Sequence, residues 1–163
     1  MAGEIIRFVE AHPDCFHRSC LEGHLTGSAW ITNRAGTRTL LTHHRKLDKW
    51  LQLGGHADGD TDLLQVALKE AREESGLTRF EPRSAAPFDV DRHWIPERKG
   101  VPAHWHLDCR FWLIADESEP FVVSEESHDL AWVDVARVPE LNPEESMLRM
   151  VRKTQAANHS EVR

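Results

Sequence analysis

The 163-residue sequence predicts an α+β fold, a mixed sheet with a few helices packed on its faces. Two observations predict it: short stretches rich in Thr, aliphatic and aromatic residues recur between polar loops, and only three segments carry helical spacing. A third bounds it: no repeat, low-complexity tract or linker divides the chain, so residues 1–163 read as one domain.

The elements follow in order. EIIRFVEAH, residues 4–12, has helical spacing closed by Pro13, which places an N-terminal helix at about residues 3–12. HLTGSAWITN and TRTLLTHH flank Arg34, Ala35 and Gly36 and read as a β-hairpin. WLQLGGHADGD passes from a short strand into a Gly- and Asp-rich loop. Residues 62–75 then read as a helix with Asp60 or Thr61 as N-cap and Gly76 as C-terminal stop. PFDVDRHWI and HWHLDCRFWLIA are strands around the polar loop PERKGVPA, and FVVS and DLAWVDV are two shorter ones. Asn142 and Pro143 open a C-terminal helix over about residues 143–157, and the tail NHSEVR is expected to fray.

Composition narrows the function. The chain is 40% hydrophobic and 29% charged, as a soluble globular protein is, and its formal net charge of −7 argues against an electrostatic nucleic-acid footprint. No apolar run reaches the length of a membrane span, and the N-terminus lacks the pattern of a signal peptide. Cys15, Cys20 and Cys109 fit reduced thiols better than a disulfide framework, so a cytoplasmic protein is expected.

The most informative stretch is LKEAREESGL, residues 68–77. At 3.6 residues per turn Glu70, Glu73 and Glu74 fall within an arc of about 100° and border the apolar face of Leu64, Ala67, Leu68 and Ala71. Each i,i+3 or i,i+4 repulsion costs about 0.2–0.5 kcal/mol, and carboxylates in a last helical turn oppose the macrodipole by roughly 0.3–1 kcal/mol. A hard divalent cation reverses that sign. The plain alternative is a solvated acidic face relieved by Lys69 and Arg72.

With its flanks, GHADGDTDLLQVALKEAREESGL resembles the Nudix box, G-x5-E-x7-R-E-U-x-E-E-x-G-U. Gly55, Glu70, Ala71, Glu73, Glu74, Gly76 and Leu77 fall in register, HRKLDKWLQLGGH leads in as in many Nudix proteins, and DLAWVDV looks like the family's late strand. Thr61 stands at the first box glutamate and Lys69 at its arginine, which loses the planar fork that can hold a glutamate. Covering about residues 24–140, the resemblance implies the Nudix fold, an α/β/α sandwich. It also implies a metal-dependent hydrolase of a nucleoside diphosphate linked to another moiety X, with a homodimer plausible by family likeness. A non-catalytic nucleotide-binding module on the same scaffold is the alternative, motivated by Thr61 and Lys69.

Site expectations follow. Glu70, Glu73 and Glu74 are the catalytic candidates and, with Mg²⁺ or Mn²⁺ as cofactor, the metal ligands. The Gly55 carbonyl completes the shell by resemblance, and Glu125 or Glu126 matches the family's distal acid, Glu126 being carried as the ligand. Phosphate-binding candidates are Arg45, Lys46, Lys49 and Arg110, with His56 facing the substrate; each has an ordinary surface or loop role as its alternative. Trp50 or Trp94 could stack on a base. His104, His106 and Asp108 alternate along one strand face, as a second metal site, a polar substrate wall or simply the solvated side of a strand. The partner is thus a small-molecule nucleotide derivative, with no membrane.

Overall fold

Described over residues 1–161, the computed structural model has, in chain order, α1 (Ala2–Ala11), β1 (Gly23–Thr32), β2 (Arg38–His44), β3 (Lys49–Leu51), β4 (Leu53–His56), α2 (Leu63–Ser75), β5 (Glu81–Pro82), β6 (Asp89–Ile95), β7 (His104–Ile114), β8 (Ser127–Asp134), a 3₁₀ turn (Val135–Arg137), α3 (Val138–Leu141) and α4 (Glu145–Glu161). The central event is a parallel pairing of β1 with β7, registered from Gly23 opposite Trp105 to Thr32 opposite Ile114. Antiparallel β6 lines the far edge of β7, with Asp89 opposite Arg110 and Ile95 opposite His104.

The other edge of β1 is shared. β4 takes its first half, Thr26 opposite His56 through Ala29 opposite Leu53, leaving β2 only Ile31 and Thr32. The expected β1–β2 hairpin therefore closes at its base and then splays, and β2 continues between β3 and β8.

Alternation sorts the side chains of the central pair. One face gives Ala29, Ile31, Cys109, Phe111 and Leu113 to a core completed by Ala67, Leu68 and Ala71 of α2. The opposite face gives Trp30 and Trp112 to a second core with Met147, Met150 and Val151 of α4. The indole N–H of Trp30 donates to Thr154 Oγ1 at 2.9 Å and that of Trp112 to Thr32 Oγ1 at 2.8 Å, so neither buried ring leaves its donor unpaired. With both faces covered, β1 is buried along its whole length. α1 closes the N-terminal end, packing Ile5 and Phe8 near Leu25 and Leu107.

On the α4 side the sheet also holds a buried ionic network. Arg110 is 1% exposed. Its Nε donates to Asp108 at 2.8 Å, and its terminal nitrogens reach Asp89 at 3.3 Å, Asp91 at 3.4 Å, His93 at 3.1 Å and the Ser146 carbonyl at 3.2 Å. Arg149 and Lys153 of α4 also bind Asp89, while Thr26 and Ser28 donate to Asp108. Arg110 was expected to meet substrate phosphate; instead its guanidinium ties β7 to β6 and α4, because carboxylates on neighbouring strands capture it.

Three further expectations shift. FVVS, residues 121–124, is not a strand, since its backbone turns to α2 and Val122 N donates to Ser75 O at 2.7 Å. α4 begins at Glu145 rather than Pro143 and runs through residues 158–161, which were expected to fray; Asn158 anchors that end by donating to Gly36 O at 2.9 Å. Residues 162–163 lie outside the described residues.

Replacing Arg110 by Ala is expected to lower unfolding free energy by about 3–5 kcal/mol, since it strands buried carboxylates. Arg110→Lys, which keeps the charge without the fork, should fall between. Urea denaturation of the three proteins checks the order.

Candidate metal and hydrolytic site

α2 is set in place by its two ends. Asp62, not Asp60 or Thr61, is the N-cap, its side chain accepting from Gln65 N at 3.2 Å. Asp60 instead accepts from Asp62 N, and Thr61 points to solvent as an exposed residue. At the other end Gly76 takes the left-handed conformation at φ 71°, and its N–H returns to Arg72 O at 2.8 Å.

Between these ends the helix lies unusually close to the sheet. A Cβ on Gly27 of β1 would stand 2.8 Å from Leu63 O and 3.0 Å from the Val66 side chain. A Cβ on Gly55 of β4 would stand 2.6 and 2.7 Å from the two Glu70 carboxylate oxygens. At Gly27 only glycine leaves room for the helix backbone, and at Gly55 the space of a side chain is taken by the end of Glu70. The Glu70 carboxylate is therefore seated directly on the β4 backbone.

That seating takes charge out of water. Burial pushes the Glu74 carboxyl up to about 8, and the charges of Glu70, Glu126 and Glu73 push the same way, against a backbone hydrogen bond from Gly54. Glu70 is also raised, by burial first and then by Glu73, Glu126 and Asp58, with Lys69 opposing. Glu73 stays exposed, 4.0 Å from the Lys69 ammonium, which thus sits beside Glu73 on the solvent side.

The structure brings most of the expected acids together. Of the two loop acids, Glu126 is the one whose charge raises both Glu70 and Glu74. Its carbonyl accepts from Arg45 N at 3.0 Å, and the Arg45 guanidinium reaches Ser127 O at 3.2 Å, which ties Arg45 to the backbone of that loop. Lys49 is drawn away to Glu144. Trp50 stacks on His43 and Trp94 meets Trp105 edge-on.

Two residues at this end escaped the sequence reading. Arg18 forms a bidentate pair with Asp58, both bonds 2.7 Å, and feels the charges of Glu70 and Glu126. The pair spans 40 residues of sequence, and Arg18 lies in a turn without periodicity, so no local signal marked it.

His56 does not face these carboxylates. Strand alternation turns it to the other side of β4 from Glu70, where its Nε2 lies 3.2 Å from His106 Nε2. Burial lowers its pKa to about 4, with Arg18 and His24 adding to the effect, and burial lowers His106 to about 3. Asp108 leaves the expected His104, His106 and Asp108 set, because Thr26, Ser28 and Arg110 bind it.

The donor set on the α2 side fits a hard divalent cation. It offers carboxylate oxygens and a glycine-lined backbone, and the cradle beside Glu70 exists only because Gly55 has no Cβ. Among the described residues no guanidinium is paired with Glu74, on which burial, three carboxylates and one backbone donor act.

Comparison with known proteins gives the fold and site a family. The sequence model of the NUDIX domain matches residues 24–153. Among solved structures, an Ap4A hydrolase binary complex from C. elegans is 18% identical, with a TM-score of 0.67 over 83% of this chain and 98% of that one. A NUDIX family hydrolase from Clostridium perfringens is 19% identical, with a TM-score of 0.63 over 82% and 97%. The E. coli dihydroneopterin triphosphate pyrophosphohydrolase is 17% identical, with a TM-score of 0.60 over 79% and 92%. No curated protein matches this sequence. The domain match covers most of the chain, includes the acidic helix, and agrees with the mixed sheet flanked by helices: the protein belongs to the Nudix hydrolase family.

Proposed function

We propose that the protein hydrolyses a phosphoanhydride bond in a nucleoside diphosphate linked to a further moiety X, with Mg²⁺ or Mn²⁺ held by Glu70, Glu73, Glu74, the Gly55 carbonyl and Glu126. The observation that carries this reading is Glu74, a half-buried carboxylate surrounded by like charge. The bound ion would supply charge neutralisation for the phosphates and a water of lowered pKa. The chain's own residues divide the remaining work. Gly55 leaves space for the Glu70 carboxylate, which, with its raised proton affinity, is suited to orient and deprotonate water. The Asp58-bound Arg18, which feels the charges of Glu70 and Glu126, and Arg45, bonded to the backbone of the Glu126 loop, are cations for anionic oxygens that enter there. Two similar structures are named for Ap4A and for dihydroneopterin triphosphate, which recommends oligophosphates carrying a base or pterin for the substrate panel.

A second reading has its own observation. Thr61 is exposed where the box has its first glutamate, and Lys69 lies beside Glu73 rather than forking onto Glu70. A nucleotide-binding module without turnover would carry these departures. Turnover by the unaltered protein excludes it; saturable binding without turnover, with activity appearing in the Thr61→Glu, Lys69→Arg variant, supports it.

A screen of nucleoside diphosphate derivatives with Mg²⁺ or Mn²⁺, followed by product identification, tests the leading proposal. Activity is expected only with metal, and Glu73→Gln or Glu74→Gln should each reduce it at least about 100-fold, since metal-assisted charge stabilisation is worth several kcal/mol. Metal-independent turnover that survives both substitutions would overturn it.

The charge arrangement also sets a pH dependence. Glu74 has a raised pKa, so in the metal-free protein its contribution to stability is fully present below its ordinary 4.5 and is lost as pH rises through about 8. His56 and His106, lowered from 6.5, act with the opposite slope and only below that value. Between pH 6.5 and 8 the metal-free protein should therefore lose about 1–2 kcal/mol of stability. Saturating Mg²⁺ or the Glu74→Gln substitution should flatten that slope in thermal melts.

A further inference from the structure

On the sheet face turned away from Glu70, four imidazoles converge from three strands: His24 of β1, His56 of β4, and His104 and His106 of β7. The His24 ring lies 5.1, 4.7 and 4.9 Å from the rings of His56, His104 and His106. One ring nitrogen from each of His24, His56 and His106 lies within 4.8 Å of the other two. His106 Nε2 is 3.2 Å from both His56 Nε2 and His104 Nε2.

Proton counting shows that this cluster is not satisfied by its own hydrogen bonds. The Pro102 carbonyl lies 2.7 Å from His104 Nδ1, and the Cys20 carbonyl lies 3.4 Å from His24 Nδ1. A carbonyl can only accept, so each ring carries its proton on Nδ1 and, when neutral, presents a bare Nε2. His24 is 4% exposed, and its Nε2 is buried without a hydrogen-bond partner. A single proton on His106 Nε2 can point at His56 or at His104, but not at both. Lone pairs therefore outnumber donors in a largely dry site, which is what a metal ion corrects.

We propose that His24, His56 and His106 form a second metal site, for a borderline transition cation of the zinc class, with His104 Nε2 in reach as a fourth ligand. Three to four imidazole nitrogens, with no free carboxylate beside them among the described residues, disfavour Mg²⁺ and suit Zn²⁺. Asp108 is committed to Thr26, Ser28 and Arg110, and Asp58 to Arg18. Zn–N bonds of about 2.0–2.1 Å in a tetrahedron place ligand nitrogens roughly 3.3 Å apart. The two 3.2 Å pairs already match. The widest separation closes with a swing of roughly 1.5 Å at a ring tip, within side-chain rotation. The backbone carbonyls on Nδ1 of His24 and His104 serve as the outer partners that fix a metal-binding tautomer. Bound there, the ion would clamp β4 to β1 and β7 directly behind the Gly54–Gly55 segment that faces the acids.

The test separates this site from the carboxylates. A Glu73→Gln, Glu74→Gln double variant of the full chain is stripped with chelator, equilibrated with Zn²⁺ alone, and its bound metal counted by mass spectrometry. One zinc per chain is expected, and Co²⁺ in its place should show the intense visible bands of four-coordinate nitrogen ligation. Adding His56→Ala or His106→Ala should weaken zinc binding at least about 100-fold, beyond the 10- to 100-fold typical of losing an outer partner. Circular dichroism of the metal-free variants reports folding, and His106→Gln serves should His106→Ala unfold. Zinc held equally well without His56 or His106, zinc bound only when Glu73 and Glu74 are intact, or six-coordinate Co²⁺ spectra would each overturn the proposal.

Discussion

The close approach of α2 to β1, made possible by Gly27, with the Glu70 carboxylate seated in the space beside Gly55, is the constraint on which the rest of the site depends. A helix packed at ordinary distance would let Glu70 and Glu74 reach solvent, where like charges interact weakly. Pressed onto glycine backbone, they are half-buried. The same contact buries Val66, Ala67, Leu68 and Ala71, so the helix gains its apolar packing only by bringing its acids in. Burial and mutual repulsion then fall most heavily on Glu74, whose carboxyl is held to about 8.

The pleat of β7 divides the chemistry of the molecule in two. Its odd-numbered side chains from Leu107 to Leu113 feed the apolar cores, with Cys109, Phe111 and Leu113 in the α2 layer. Its even-numbered residues run from the histidines 104 and 106 through Asp108 to Arg110 and then Trp112. Toward the β7 N-terminus that second face is rich in imidazole; further along, it is a compensated network in which Arg110 meets Asp89, Asp91 and Asp108. Buried charge is tolerated there because partners on β6 and α4 satisfy it, whereas Glu74 is raised by burial and by the charges of Glu70, Glu126 and Glu73. The stretch around Arg110 is thus electrostatically closed, whereas the acids on α2 and the imidazoles at the β7 N-terminus are not.

Local patterns made much of this legible. The charge stripe at Glu70, Glu73 and Glu74, the glycine stop at residue 76 and the alternating strand at residues 104–114 are all short-range features, and they stand where the pattern put them. What stayed hidden depends on pairing between distant segments. Arg110 looked like a free cation because its carboxylate partners lie on another strand, and His56 looked like a substrate contact until strand alternation turned it toward His106. The His24–His56–His106 grouping has no spacing signature, since β1, β4 and β7 contribute one residue each. FVVS has strong strand propensity yet lies across the end of α2, where Val122 packs on Gly76.

The central claim, that the acids on α2 are arranged for a cation, is tested most directly by titrating the protein calorimetrically with Mn²⁺ at pH 7.5 in buffers of different ionisation enthalpy. A carboxyl held to about 8 is mostly protonated at that pH, so binding should expel on the order of one proton per ion. That release should vanish in Glu74→Gln. Binding without proton release, or release unchanged by the substitution, would contradict the account.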